Sequence, residues 1–296
     1  MRLSIKLFSF GAFASLAILL ATGCTNDENL APQDNASIEE RSLISGPVSV
    51  PLIGLTPQNE LVHLLSGPPV VEKGVVPISG LLRPEEWIAA IDYKALSREL
   101  YGVSNQSIIY KINPTSGVAT PVTGFTFDPP ISGNMVAFDI DPVEDVIRLI
   151  TSSGQNLRIS PITGGVLSVD STLNPGTPAI QSIAYSYATK FSKAALYDID
   201  STEQALFVQN PAVGGRLEKV GPLGFTFEGE GGFEITNKNM AFAVQYGRNL
   251  FGGGNAGSTQ HDVVTEDAYR LLSINLNYGG AISLGRVRPL IGLAAR

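Results

Sequence analysis

Cysteine is almost missing from this chain: Cys24 is the only one in 296 residues. A lone thiol excludes a disulfide framework and any cysteine-rich metal cluster. Histidine is nearly as scarce. His63 and His261 are the only two, too few for a zinc ligand set or for a histidine-based triad, and no nucleophile elbow is present. The run Gly252-Gly253-Gly254 has no Lys-Ser/Thr behind it, so it is not a phosphate loop. Basic clusters are absent as well. The formal charge is −7, and removing the two positive charges Arg2 and Lys6 takes it to −9. A net-negative surface repels polyphosphate, so nucleic acid is excluded as a partner.

Long apolar runs are confined to the N-terminus. Arg2 and Lys6 precede an uncharged apolar stretch at 7–21, which is too short for a spanning helix and reads as a secretory signal. Leu20-Ala21-Thr22-Gly23-Cys24 resembles a bacterial lipobox, with Ala21 where leucine is common. Cys24 is therefore expected to be lipidated and to become the mature N-terminus. Membrane attachment through that lipid follows, because acyl chains contribute about 0.8 kcal/mol per buried methylene. Residues 24–50 are polar and acidic, with Asp27, Glu28, Asp34, Glu39 and Glu40, and read as a tether. Acidic residues after the lipidated cysteine also resemble the export signals of surface lipoproteins. The expected organisation is a signal peptide at 1–23, a lipidated tether at 24–50 and one domain at 51–296, lodged in the bacterial cell envelope.

What the chain has in abundance is turn punctuation, with 31 glycines and 19 prolines. Between them runs a degenerate repeat of roughly 45–58 residues, each unit holding four short strands. The clearest unit has strands at 88–95, 100–105, 107–113 and 119–124. Its counterparts lie at 136–141, 145–151, 156–161 and 166–170; at 180–186, 195–200, 205–210 and 217–221; and at 233–236, 240–245, 269–275 and 281–287. Recurring turns join the third and fourth strands, as in Asn113-Pro114-Thr115-Ser116-Gly117. The first unit holds only three strands, at 53–56, 61–65 and 75–80. The last residues, 290–295, supply its missing innermost strand, as Ile53-Gly54-Leu55 and Ile291-Gly292-Leu293 suggest. A ring closed by its own chain end leaves no free sheet edge. The fold class expected is all-β, a β-propeller of four-stranded blades. Five blades are expected, or six if 247–267 hides a degenerate one; otherwise that segment reads as a long loop on one face.

Chemistry-bearing residues recur by position. Asp92, Asp139 and Glu234 each follow an apolar residue on an innermost strand, where the other two units carry Ala184 and Gly292. Carboxylates converging near the channel suggest a glycoside hydrolase; carboxylates repeated by position suggest bonds to the backbone of the next blade. Asp139 with Asp141, and Asp198 with Asp200, place paired carboxylates on one side of a strand, a pattern that suits Ca²⁺. Turn capping by Asp141 and Asp200 is the simpler account of those pairs.

Three segments, GLTPQNELVHL at 54–64, FDIDPVEDVIRLITSSGQNLRI at 138–159 and LYDIDSTEQALFVQNP at 196–211, resemble a bacterial family of exported β-propellers, domain-of-unknown-function family 4394. That family carries no assigned activity. The resemblance marks Arg148, Gln155, Asn156 and Arg158 as candidates for a shared ligand-binding surface, or as one blade's hydrogen-bonding set. The segment at 247–267 departs from its compact final blade.

The reading that follows is a lipid-anchored, non-catalytic propeller that binds an unknown protein or glycan on one face. The alternatives are a carbohydrate-active hydrolase using Asp92, Asp139 and Glu234, and a structural envelope protein. A single tryptophan, Trp87, argues mildly against a sugar site. No cofactor is expected apart from the Ca²⁺ alternative.

Overall fold

The computed structural model describes residues 49–134, 136–190, 192–247 and 268–295. The expectations for Cys24, the signal and most of the tether, His261 and the glycine-rich stretch lie outside the described residues.

Five antiparallel four-stranded blades form a ring. Blade 1 is built from β1 (Pro51–Leu55), β2 (Glu60–Leu65), β3 (Val71–Pro77) and, innermost, the last strand of the chain, β20 (Gly292–Ala295). Blade 2 holds β4 (Ile88–Lys94), β5 (Glu99–Ser104), β6 (Ile109–Ile112) and β7 (Ala119–Pro121). Blade 3 holds β8 (Val136–Ile140), β9 (Ile147–Thr151), β10 (Asn156–Ile159) and β11 (Val166–Val169). Blade 4 holds β12 (Ile180–Tyr185), β13 (Leu196–Asp200), β14 (Ala205–Gln209) and β15 (Leu217–Pro222). Blade 5 holds β16 (Glu228–Ile235), β17 (Ala241–Gly247), β18 (Ala268–Ile274) and β19 (Ala281–Arg286). The inner strands β20, β4, β8, β12 and β16 touch in that cyclic order. Closure is as the repeat suggested: β1 pairs β20 from Leu52↔Ala295 to Leu55↔Gly292, and Ile291 N–H donates to Leu55 O at 2.7 Å.

Each blade is covered on both faces, which explains why its inner and second strands are apolar almost throughout. All five residues of β9 are buried. On β5 the alternation is used twice: Leu100 packs toward blade 1 with Ile53 and Leu61, and Tyr101 toward blade 3 with Phe138 and Leu149. Five apolar clusters fill the five seams between blades, blade 5 meeting blade 1 through Phe242, Val244, Leu52 and Leu293. Each fully buried Leu or Ile there contributes about 1.5–3 kcal/mol. The outermost strands meet solvent, and β3 (Val71–Pro77) is exposed over nearly its whole length.

The turns work by local capping. Asn113 Oδ1 accepts the amides of Thr115 and Ser116 at 2.9 and 3.0 Å, and Gly117 supplies φ +72. Asp141 Oδ1 accepts from Val143 and Glu144, and Asp200 Oδ1 from Thr202 and Glu203.

Two strands begin well before their expected starts. The outer strand of blade 1 begins at Val71, earlier than the expected 75, because a bulge at His63/Leu64 lets it continue past Gly74. The inner strand of blade 5 begins at Glu228, not 233. At Gly232 the backbone of the closing strand comes close: a Cβ there would lie 2.5 Å from the Gly292 carbonyl carbon.

Candidate functional site: the axial channel

Four inner strands and Ile291, the residue leading into the closing strand, meet at an opening on one face. Ala89, Val136, Gln181, Gly231 and Ile291 lie around a cavity of about 300 Å³, with Trp87 among the lining residues. Trp87 is 47% exposed, the only tryptophan in the chain. Gln181 is buried; its Nε2 donates to Gly229 O at 2.7 Å, and its Oε1 has no partner. One step further along each strand the channel narrows to about 10 Å³ between Ala90, Ala137, Ser182, Gly232 and Gly292.

Beyond this constriction the structure brings Asp92, Asp139 and Glu234 together. One carboxylate oxygen from each lies within 4.8 Å of the others, and all three side chains are buried. Each also reaches the next inner strand. Asp92 Oδ2 accepts Ile140 N–H at 2.9 Å, and its Oδ1 accepts Tyr93 N–H at 2.6 Å. Asp139 Oδ2 accepts Tyr185 N–H at 2.7 Å, and Glu234 accepts Ala295 N–H. The rule is constant: a carboxylate at one level bonds the amide one residue further on the next strand. The equivalent positions are thus Asp92, Asp139, Ala184, Glu234 and Ala294. The expected match at Gly292 is two residues early, because register across the gap between inner strands is set by these bonds and not by the pattern within a strand.

Burial dominates the titration of the three. It pushes Asp92 up to about 7 against the opposing amides of Ile140 and Tyr93. Asp139 is raised well above the usual range by burial, then by repulsion from Asp92 and Glu234. Glu234 is raised likewise, by burial and then by Asp92.

The other candidates are placed elsewhere. Arg148 is buried and donates to Asp170 (2.6 Å), Asn156 (2.8 Å) and Tyr185 (3.3 Å). It also reaches the wall of a cleft of about 490 Å³ between blades 3 and 4, beside Lys193 and Gln209. Asn156 Nδ2 donates to Ser171 O and, across the blade seam, to Ala212 O. Gln155 ties down Pro130 and Ser132. Arg158 pairs with Asp170 and Glu144. These four are drawn into hydrogen bonds of blade 3 and its neighbours, and only Arg148 lines that cleft. Asp141 and Asp200 cap turns, and Asp198 is fully buried without a partner for either oxygen. Burial raises Asp198, with Arg148 partly offsetting it. Among the described residues, the metal-compatible group is the axial trio, which includes Asp139 but not Asp141, Asp198 or Asp200. His63 Nε2 lies 2.9 Å from Pro114 O. Gln181 was missed by sequence reasoning, although a polar residue inside the apolar strand Ile180–Tyr185 was a visible signal.

A family model described as Domain of unknown function (DUF4394) matches residues 60–294. The chain belongs to this family. No curated protein matches the DUF4394 chain. Its fold is similar to a GH43 glycoside hydrolase engineered to display both endo-xylanase and exo-arabinofuranosidase activity, at 11% identity and TM-score 0.45, covering 82% of this chain and 55% of that one. It is also similar to an auxiliary nutrient binding protein from Bacteroides ovatus, at 12% identity and TM-score 0.39, covering 64% and 55%. A third is AztD from Citrobacter koseri, at 17% identity and TM-score 0.33, covering 58% and 44%. The DUF4394 chain spans about half the length of these structures.

Proposed function

We propose that this propeller is a non-catalytic binding module, held in the cell envelope by a lipid on Cys24, that takes a small polyhydroxylated ligand such as a glycan end at its channel mouth. The observation that carries the reading is the 300 Å³ mouth, where the half-exposed Trp87 and the unpartnered Oε1 of Gln181 share one lining. An aromatic face suits the C–H face of a sugar, and an orphaned amide oxygen asks for a hydroxyl donor. The non-catalytic part is supported by the three axial carboxyls. They lie past the constriction, buried and bonded to backbone amides, whereas a hydrolytic pair needs an open approach to the glycosidic bond.

The test uses the chain's own reporter. Saccharides are titrated while Trp87 emission is followed, with calorimetry on the Trp87→Ala variant alongside. Saturable quenching that calorimetry loses in Trp87→Ala supports the reading. No heat and no emission change across mono- and oligosaccharides would remove it. Release of reducing sugar that Asp92→Asn abolishes would favour the hydrolase instead.

A further inference from the structure

We propose that Asp92, Asp139 and Glu234 hold a hard divalent cation on the propeller axis. The ion would join three of the five inner strands at one point, independently of any ligand at the mouth. The three contributing oxygens lie within 4.8 Å of one another, a spacing that fits oxygens placed around a single ion with ligand distances of about 2.0–2.6 Å.

A second observation points to a ligand. Glu234 is 4% exposed, and its Oε2 is fully buried with no hydrogen-bond partner. Its companion oxygen is accounted for by the amide of Ala295. The charged neighbour that Glu234 meets is Asp92, another carboxyl, so only a proton shared between the two or a cation can serve the buried oxygen. A buried carboxylate oxygen in that position is costly unless a cation or a proton reaches it.

The charge balance favours the cation. None of the ion pairs among the described residues includes any member of the trio. The amides of Tyr93, Ile140, Tyr185 and Ala295 contribute partial positive charge only. A divalent ion that displaces the protons of the three carboxyls would offset most of the negative charge so exposed. The donor set is all carboxylate, without histidine or cysteine, which selects the calcium and magnesium class over zinc or copper.

The experiment takes the purified full chain, strips it with a chelator and titrates it separately with CaCl₂ and MgCl₂ by calorimetry near neutral pH. Thermal unfolding is followed in parallel. The expected result is one ion per chain with a Tm rise of several degrees for at least one of the two ions. Glu234→Gln and Asp92→Asn should each weaken binding by on the order of tenfold or more. Should either variant fail to fold, the wild-type titration and Asp139→Asn still decide. No heat and no Tm shift at millimolar calcium or magnesium would overturn the proposal and leave three carboxyls sharing protons. Binding that survives unchanged in the folded variants would overturn it too, since the ion would then sit elsewhere.

Discussion

Asp92, on the inner strand of blade 2, accepts the backbone amide of Ile140, on the inner strand of blade 3, at 2.9 Å. Asp139 repeats the bond to Tyr185 in blade 4, and Glu234 repeats it from blade 5 to Ala295 in the closing strand. Inner strands of neighbouring blades do not pair as one sheet, so these side chains substitute for the missing ladder. Where the position is Ala184, the link from blade 4 to blade 5 comes from Gln181 to Gly229 instead.

Removing Asp92 should therefore loosen the ring. Asp92→Ala leaves the amides of Tyr93 and Ile140 without their acceptor in a buried site, a loss of about 2–4 kcal/mol. Asp92→Asn keeps one acceptor oxygen and should lose less. Urea denaturation of both variants checks the order.

The close approach of blade 5 to the closing strand gives a steric prediction. Gly232→Ala puts a Cβ 2.5 Å from the Gly292 backbone, which cannot rotate away. A cost of about 1–3 kcal/mol is expected, read as a fall in Tm of several degrees. Gly74→Ala, where an added Cβ meets nothing within 4 Å, is the control and should stay within about 0.5 kcal/mol of wild type.

Acid sensitivity should localise partly to Asp170. Burial alone would raise its pKa, but hydrogen bonds from Arg148 and Ser168, with the Arg148 and Arg158 charges, outweigh it and hold the carboxyl below its usual value. A depressed folded pKa means stability that is fully present above the unfolded value and lost as pH falls through the folded one. Asp170→Asn should be less stable than wild type at neutral pH, partly because it leaves the buried Arg148 without its ion pair. The gap should close once the wild-type carboxyl is protonated. Denaturation midpoints from pH 7 down to pH 2–3 would show the convergence, and a constant gap would count against it.

The proposed anchorage rests on one atom, the sulfur of Cys24. Cys24→Ser removes the only thiol, so the protein should move from the membrane fraction to the soluble fraction. Fractionation of cells expressing both forms is the measurement, and an unchanged distribution would show that lipid at Cys24 does not hold it.

Much of the fold was legible because a propeller blade is local. Strands of three to eight residues, turns such as Asn113 to Gly117, and the complementary end at Leu293 are written in consecutive residues. The exceptions were glycine-rich. Gly74 and Gly231-Gly232 lie within strands that the sequence pattern begins only at 75 and 233, and at Gly232 the absent side chain lets another backbone approach. At the site, the repetition of Asp92, Asp139 and Glu234 was visible, but their meeting across the axis was not. Nor was the offset from Gly292 to Ala294, since nothing within one strand encodes its level against the next. The family resemblance marked Arg148, Gln155, Asn156 and Arg158 as a surface site or as one blade's hydrogen-bonding set, and sequence did not choose between them because it shows residue type and not partner. Asp170 and Ser171 absorb Arg148 and Asn156 at the end of blade 3, and Tyr185 and Ala212 add their bonds only when blade 4 packs against it.

Sequence by itself determined the blade plan, the closing strand and the recurrence of carboxyls, since each depends on period and on near neighbours. The tertiary structure alone decided the width of the channel, the burial of the three carboxyls, the orphaned oxygens of Gln181 and Glu234, and the placement of Trp87 at the mouth. Those depend on how five blades tilt about one axis, and that arises from packing in the seams between residues far apart in the chain.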